Sequence, residues 1–301
     1  MKKILIIFIV LVGFKMSAQQ DPQYTQYMYN MSVINPAYAG STANLSLGLI
    51  YRNQWTGLSG APRTMSLFGN KPISENIGLG ISMVADQIGP VKETNATADV
   101  SYTLQLAGEQ RFAFGLKAGA TFHNIGLANL DVNAPNDPLY SENVSETRPN
   151  LGMGIFYYTD KFYFGASVPN LLETVHYDYN GLKFGSEYRH YFITGGTVFD
   201  LSENMKFKPS FLIKSAFEAP ISFDINANVL FFEKMELGIS YRLEDSFSGI
   251  INLALSPNVR IGYAYDSVVS DLSIDTFSSH EFLLLVDLKS KKDSTLHARF
   301  F

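Results

Sequence analysis

Apolar and polar residues alternate with a period of two along most of this chain, which predicts β-strands with one apolar and one polar face. In the stretch 45–52, one face would carry Leu45, Leu47, Leu49 and Tyr51, and the other Ser46, Gly48, Ile50 and Arg52. Alternation of this kind, together with equivalent apolar runs, predicts about fourteen strands, at residues 44–55, 63–70, 77–87, 94–106, 112–123, 150–159, 162–168, 191–200, 206–214, 223–229, 236–243, 248–256, 259–266 and 281–288.

The predicted strands are longer than those of most soluble proteins. Most have about 8–12 residues, whereas soluble strands usually have about 5–6 and a tilted strand needs about 9–11 to cross a membrane. Aromatic residues recur near the strand ends, as in the girdles of outer-membrane barrels, at Tyr51, Tyr102, Phe122, Tyr157, Tyr241 and Tyr265. These features predict an all-β fold, a transmembrane antiparallel β-barrel of about fourteen strands.

The connections between the predicted strands alternate between short ones and mostly longer ones. The longer set includes residues 88–92 and three connections of more than a dozen residues, at 124–149, 169–190 and 267–280. Outer-membrane barrels have short periplasmic turns and longer outside loops, so an even strand number places both ends of the barrel in the periplasm. A soluble, secreted sandwich or lipocalin-like barrel is the alternative, because alternation does not say which face points inward.

Both ends of the chain lie outside the predicted barrel domain, which comprises residues 44–288. Residues 1–18 have the pattern of a signal peptide, with Lys2 and Lys3 before about eleven apolar residues, too few to span a membrane. An uncleaved anchor is the alternative. Residues 289–301 begin with a basic stretch and end in Phe300-Phe301. We interpret them as a periplasmic tail, with a barrel assembly signal as the other interpretation of the terminal aromatic pair.

Residues 19–43 have neither a strand pattern nor a helical period. They are rich in tyrosine and side-chain amides and are interrupted at Asn35-Pro36 and Gly40. Alone, such a segment cannot satisfy its backbone polar groups, so it must pack onto or into the barrel. We predict a plug or a periplasmic contact with other proteins, formed by Tyr24, Gln26, Tyr27, Asn30, Asn35, Pro36, Tyr38 and Gly40 and seated by Arg52 and Trp55.

Composition excludes several functions. The net charge of −5 leaves no basic surface for nucleic acid, and the absence of cysteine excludes disulfides, thiolate metal sites and cysteine nucleophiles. The five histidines lack metal-ligand spacing, and no G-x-S-x-G motif is present. We therefore expect no cofactor and no enzymatic activity. A membrane-embedded hydrolase would need a nucleophile and a base that the fold brings together.

Charged residues of both signs fall on the polar faces of the predicted strands. The residues expected in the lumen are Arg52, Trp55, Asp99, Lys117, Asp224, Glu236, Arg242 and Arg260. They would form either a polar pore or ion pairs that fill a narrow interior, and we favour ion pairs because buried charges require partners. Mixed signs also argue against an ion-selective channel. The loop at 124–149 could bind calcium through Asp131, Asn133, Asn136, Asp137 and Glu142, but it lacks the spacing of known calcium loops, so a solvated surface that receives a partner is favoured.

Two stretches resemble a known family. They are QDPQYTQYMYNMSVINPAYAGS at residues 20–41 and YRNQWTGLSGAPRTMSL at residues 51–67. Both resemble the opening of the PorP/SprF family of type IX secretion system membrane proteins of the Bacteroidota. The stretch at 143–171 and the final ARFF also fit, so the resemblance covers the whole chain.

The resemblance implies an outer-membrane barrel that works with the type IX secretion machinery, including its periplasmic components. Family members are associated with secretion of large surface proteins, such as gliding adhesins, and with their attachment to the cell through C-terminal domains. The expected partners are such a domain, the machinery and outer-membrane lipid, and catalysis is not implied. A porin-like or lipid-transport channel is the alternative function.

Overall fold

The computed structural model describes residues 22–129, 142–172, 174–179, 182–187, 189–216, 220–270 and 278–288. The predicted signal peptide, the tail at 289–301 and most of the candidate calcium loop lie outside these residues. Within them, no helix is long and apolar enough to span a membrane.

The described residues form seventeen strands. They are β1 (Leu45–Asn53), β2 (Arg63–Pro72), β3 (Ile77–Ile88), β4 (Val91–Gln105), β5 (Arg111–Ile125), β6 (Val144–Tyr158), β7 (Phe162–Val168), β8 (Thr174–Tyr179), β9 (Leu182–Glu187), β10 (His190–Thr197), β11 (Phe199–Ser202), β12 (Met205–Ala216), β13 (Ser222–Phe231), β14 (Met235–Arg242), β15 (Ser246–Ser256), β16 (Val259–Val268) and β17 (Ser278–Leu288).

The strands close into an antiparallel barrel. Neighbours in sequence pair from β1 to β7 and from β12 to β17, β1 pairs with β17, and β10 pairs with both β7 and β12. β10 and β11 are two parts of one wall strand interrupted at Val198, while β8 and β9 form a separate two-stranded sheet. The wall therefore has fourteen strands, and the fold predicted from the alternation is confirmed.

The apolar face of the wall points outward. On β1, Leu47 and Tyr51 are exposed, whereas Ile50 and Arg52 are buried in the interior. The same outward apolar face carries Met65, Leu67, Leu79, Ile81, Met83, Val100, Phe114, Leu116, Leu151, Met153, Ile239, Ile251 and Leu284. This arrangement is that of a membrane barrel, and the alternative of a soluble barrel with an apolar interior is wrong.

The two ends of the barrel differ in their connections. At the turn end, the connections run from two residues, as at 203–204, to five at 106–110. At the loop end they reach eighteen residues at 126–143 and twenty-one at 169–189. β1 begins and β17 ends at the turn end, where Leu45 pairs with Leu288. The predicted longer connection at 88–92 is wrong: Ile88 pairs with Val91, and Gly89, with a φ of 55°, allows a tight turn there.

Three adjacent strands, β4, β5 and β6, have 15 residues each and exceed the lengths predicted from alternation. On β6, the outward residues change from Leu151 and Met153 to Pro149, Thr147 and Ser145 toward the loop end. The apolar pattern thus stops before the strand does. Toward the loop end, β3, β4, β5 and β6 reach the same level, since Ile88 pairs with Val91, Val91 with Ile125 and Ile125 with Val144. Their ends beyond Phe122 and Leu151 form a raised wall, which shortens the predicted loop at 124–149.

Candidate functional site

Residues 22–43, called the inner segment below, form three short helical turns, at Tyr27–Tyr29, Met31–Ile34 and Pro36–Tyr38. Asn35 begins the last turn, where its Oδ1 accepts a hydrogen bond from the Ala37 N–H at 2.9 Å. Pro36 follows in the first position, where its fixed φ suits the turn. Single turns explain why the sequence shows neither strand alternation nor a longer helical period.

The inner segment lies in the lumen of the barrel. Side chains of the wall donate hydrogen bonds to four of its carbonyl oxygens: Asn226 to Thr25, Lys117 to Ser32, Ser167 to Ile34 and Ser101 to Ala39. These donors belong to β13, β5, β7 and β4, on different sides of the barrel. A segment without a strand partner thus obtains the bonds that its backbone requires, and its side chains are almost all buried.

An ion cluster holds the inner segment near the loop end. The Arg52 guanidinium lies 2.6 Å from Asp266 and 3.1 Å from Glu281. Glu281 accepts hydrogen bonds from the backbone N–H groups of Thr25 at 2.9 Å and Gln26 at 2.8 Å. The Thr25 hydroxyl donates to Asp266 at 2.8 Å. The two buried carboxylates therefore bind a wall arginine and the inner segment at once.

Three tyrosine hydroxyls of the inner segment reach three different strands. The hydroxyls of Tyr24 and Ser66 share a hydrogen bond of 2.6 Å, Tyr27 donates to Ser210 at 3.2 Å, and Tyr29 donates to Glu236. Ser66, Ser210 and Glu236 lie on β2, β12 and β14. The rings fill lumen volume and the hydroxyls bond to polar wall groups, which suits tyrosine better than phenylalanine.

Glycines of the wall accommodate the inner segment near the turn end. The Asn35 amide donates to the Ile155 carbonyl at 2.9 Å and occupies the space that a Cβ at Gly154 would fill. Tyr38 packs edge-on against Phe156, with ring centroids 5.5 Å apart. Replacing the glycine with any larger residue would therefore displace the Asn35 side chain.

The inner segment runs from the loop end to the turn end. Thr25 and Gln26 bind Glu281, which is near the loop end of β17, while Gly40, with a φ of 70°, approaches Gly78 at the start of β3. The buried ion cluster and the wall glycines hold residues 22–43 inside the lumen. Of the two roles predicted from sequence, plug and periplasmic contact, this position suits the plug, and both stay predictions.

The predicted site residues are distributed as follows. Tyr24, Gln26, Tyr27, Asn30, Asn35, Pro36 and Tyr38 are buried in the lumen, and the predicted lumen charges form the pairs Asp99 with Lys117 at 2.8 Å, Asp224 with Arg242 at 2.8 Å and Glu236 with Arg260 at 3.7 Å. Trp55 differs from the prediction, because it lies beyond β1 in the connection to β2 and is partly exposed.

Comparison with known proteins gives the family. The profile described as type IX secretion system membrane protein PorP/SprF matches residues 16–286. The chain belongs to the PorP/SprF family. The resemblance seen in the sequence is thereby confirmed, and a chain of this family with this fold is an outer-membrane protein. A search of curated proteins found no match.

Solved outer-membrane barrels have a similar fold. The toluene transporter TodX of P. putida has 9% identity and a TM-score of 0.51, with 88% of this chain and 95% of that chain covered. Omp33 of Acinetobacter baumannii has 9% identity and a TM-score of 0.47, covering 83% of this chain and 100% of that one. A Pseudomonas aeruginosa FadL homologue has 11% identity and a TM-score of 0.49, with 84% and 92% covered. The likeness to TodX, at a TM-score above 0.5 and 9% identity, concerns the fold alone.

Sequence reasoning missed several residues that hold the inner segment of this PorP/SprF barrel. Thr25 and Glu281 were not predicted as site residues, although a glutamate beside the apolar run Phe282–Val286 was a signal of a buried ionic role. Ser101 and Ser167 gave no such signal. Among the described residues, no group of three or more His, Asp or Glu side chains could hold a metal ion.

Proposed function

We propose that this PorP/SprF barrel is a non-enzymatic anchor with a plugged lumen, which supports secretion and surface attachment of a large secreted protein, such as a gliding adhesin. It would bind the C-terminal domain of that protein at the loop end. The short connections at the turn end would contact the periplasmic machinery. Family membership supports the secretion context, and the contents of the lumen support an anchor over a channel.

The observation that carries the proposal is the filled lumen. The inner segment is bonded to opposite walls and is held by buried carboxylates, tyrosine hydroxyls and glycine contacts. A cavity beside Tyr24 and Lys117 has only about 80 Å³, which is room for a few water molecules. Within the described residues, a lumen occupied by this segment is better suited to binding than to transport.

We propose that the secretion machinery contacts the turn end of the barrel. Tyr27, Asn30 and Asn35 are at most 1% exposed, so their side chains are not available to a periplasmic protein while the inner segment is seated. The exposed connections at 106–110 and 203–204 are available. We therefore retain the inner segment as a plug and transfer the docking role to these turns.

Co-purification tests the proposal. The barrel is purified with an affinity tag from native outer membrane in mild detergent, and its bound proteins are identified by mass spectrometry. We expect a large secreted protein that is retained through its C-terminal domain, so that the domain alone binds and the truncated protein does not. Absence of any secreted protein, or equal binding after truncation, would overturn the proposal.

A porin-like or lipid-transport channel is the competing function. It requires a steady conductance, or passage of lipid, through the wild-type barrel. We expect the wild-type protein to be silent in planar lipid bilayers because the inner segment occupies the lumen. Stable open channels at low voltage would favour transport and contradict the plugged anchor.

A further inference from the structure

One strand of the raised wall has an edge that the neighbouring wall strand does not cover. β5 pairs with β6 along its whole length, from Val144 to Tyr158. On the other side, β7 pairs only with Met153–Tyr158 of β6 and ends at Val168. Nine residues of β6, about 30 Å of strand, therefore continue past the end of β7.

Backbone direction shows which groups face this edge. The Leu151 carbonyl accepts a hydrogen bond of 2.7 Å from Leu171 N–H, on the side away from β5. Because backbone groups alternate sides along a strand, those of Pro149, Thr147 and Ser145 point to the same side. Neither Thr147 nor Ser145 has a backbone partner there in the described part of the chain.

Pro149 lies at the end of this free edge that is nearer the turn end of the barrel. Its missing N–H would have pointed away from β5, so the proline leaves the ladder with β5 intact. A proline on the open side is typical of edge strands. Above it, two N–H and two C=O groups of Thr147 and Ser145 are available at the spacing of a β-ladder, together with the Pro149 carbonyl.

The edge begins at the interface of the membrane band and continues beyond it. The outward side chains of Ser145, Thr147 and Pro149 are exposed and carry no large apolar group, whereas Leu151 and Met153 begin the apolar face. On β5, the aromatic Phe122 lies opposite Thr147 and the polar Asn124 lies opposite Ser145, so the edge passes from the aromatic girdle into water. The chemistry that the backbone groups of this edge recognise is another extended backbone, because a strand supplies the complementary groups at the same repeat.

We propose that the free edge of β6, at Ser145 and Thr147, is the site where an extended strand of the secreted partner pairs with the barrel. The proposal rests on the proposed function, since it assigns a place to the partner assumed there. Strand addition gives a role to the part of β6 that continues past β7, because β5 pairs with β6 on one side and leaves the other edge open. A second copy of this chain, paired edge to edge, is the competing occupant.

A proline substitution tests the backbone contact. Thr147→Pro removes one N–H on the free side and leaves the bonds of β6 to β5, while Thr147→Ala removes the side chain and keeps the N–H. The probe is the purified C-terminal domain of the secreted protein that co-purifies with the wild-type barrel. We expect Thr147→Pro to weaken its binding about tenfold, the effect of roughly one lost hydrogen bond, and Thr147→Ala to bind as the wild type does.

Crosslinking locates the contact independently. The chain has no cysteine, so Thr147→Cys can carry a single benzophenone label. Asn124→Cys is the matched control: Asn124 is exposed on the outer face of β5 opposite Ser145, two residues along from the level of Thr147, but its strand is paired on both sides. We expect crosslinks to the C-terminal domain from position 147 and few from 124. Equal crosslinking from both positions, or a crosslinked homodimer, would overturn the proposal.

The two proposals fail in different ways. If no secreted protein binds the wild-type barrel, the anchor function fails and the strand site fails with it. If the C-terminal domain binds wild type, Thr147→Ala and Thr147→Pro equally, the anchor function stands and the β6 edge is excluded. Electrophoretic mobility of unheated samples shows whether the Thr147→Pro barrel is folded. If this variant does not fold, the crosslinking result still tests the proposal, because it does not use the proline substitution.

Discussion

Arg52 is the residue on which the ion cluster of the lumen depends. It is 2% exposed and pairs with both Asp266 and Glu281, which are also buried. Removing one partner of a buried ionic group leaves charges without compensation and costs about 3–5 kcal/mol. We predict that Arg52→Ala lowers the free energy of unfolding by that amount, measured by urea titration of the barrel in detergent.

A surface ion pair provides the control for this prediction. Lys161 and Asp200 lie 2.6 Å apart near the turn end and are largely exposed. Their hydrogen bond raises the pKa of the Lys161 ammonium, yet exposed pairs contribute little to stability. Lys161→Ala should leave the urea midpoint unchanged. Similar midpoints for Arg52→Ala and Lys161→Ala would show that the cluster does not support the barrel.

Gly154 allows a second test at the scale of one residue. A Cβ there would overlap the Asn35 amide, whereas a Cβ at Gly249 on β15 would meet no atom within 4 Å. Overpacking of this kind costs about 1–3 kcal/mol. We predict that Gly154→Ala lowers the melting temperature, measured by circular dichroism, and that Gly249→Ala does not. Equal effects of the two substitutions would mean that Asn35 adapts without cost.

At the scale of elements, alternation located the fourteen wall strands because an apolar outer face and a polar inner face are each required along a membrane crossing. It failed where that requirement ends. Toward the loop end, Ser145 and Thr147 of β6 carry polar groups outward, so the strand continues without its pattern. The turn at Gly89-Pro90 was missed for a related reason, since hydrogen bonding rather than side-chain polarity extends β3 and β4 to Ile88 and Val91.

We predicted that the inner segment packs with the barrel because its backbone polar groups need hydrogen-bond partners. The prediction applies to single helical turns, since such turns leave backbone groups that only other parts of the chain can satisfy. Its path could not be predicted. Direction depends on pairings between distant residues, such as Thr25 with Glu281 and Ala39 with Ser101, which no local pattern encodes. The lumen ion pairs were predicted as a set because buried charges must be matched, but the partner of each was not.

Deletion of residues 20–39 tests the plug at the scale of the element. The wall residues that bind the segment would then line an aqueous space instead of protein, and water would replace the lost hydrogen bonds. We predict that the deleted barrel conducts ions in planar bilayers while the wild type is silent, and that surface display of the secreted partner falls. A silent deletion variant that is folded and inserted would show that other parts of the chain close the lumen.

For the whole molecule, the arrangement of faces and ends gives one orientation in the outer membrane. The apolar band is continuous around the outside, so the barrel cannot be displaced far along its axis without exposing that band to water. The loop end carries the raised wall and the longest connections, and the turn end carries both ends of the barrel domain. Binding of the secreted partner at the cell surface and docking of the machinery in the periplasm therefore require the loop end to face outward.

Cysteine labelling tests this orientation in living cells. Ser59→Cys lies in the exposed connection between β1 and β2 at the loop end, and Glu109→Cys lies in the exposed turn between β4 and β5 at the other end. The chain has no other cysteine, so each variant has one reactive thiol. We predict that a large maleimide reagent, unable to cross the outer membrane, labels Ser59→Cys on intact cells and Glu109→Cys only after lysis. The reverse pattern would invert the barrel, and it would place both the β6 edge and the proposed partner site in the periplasm.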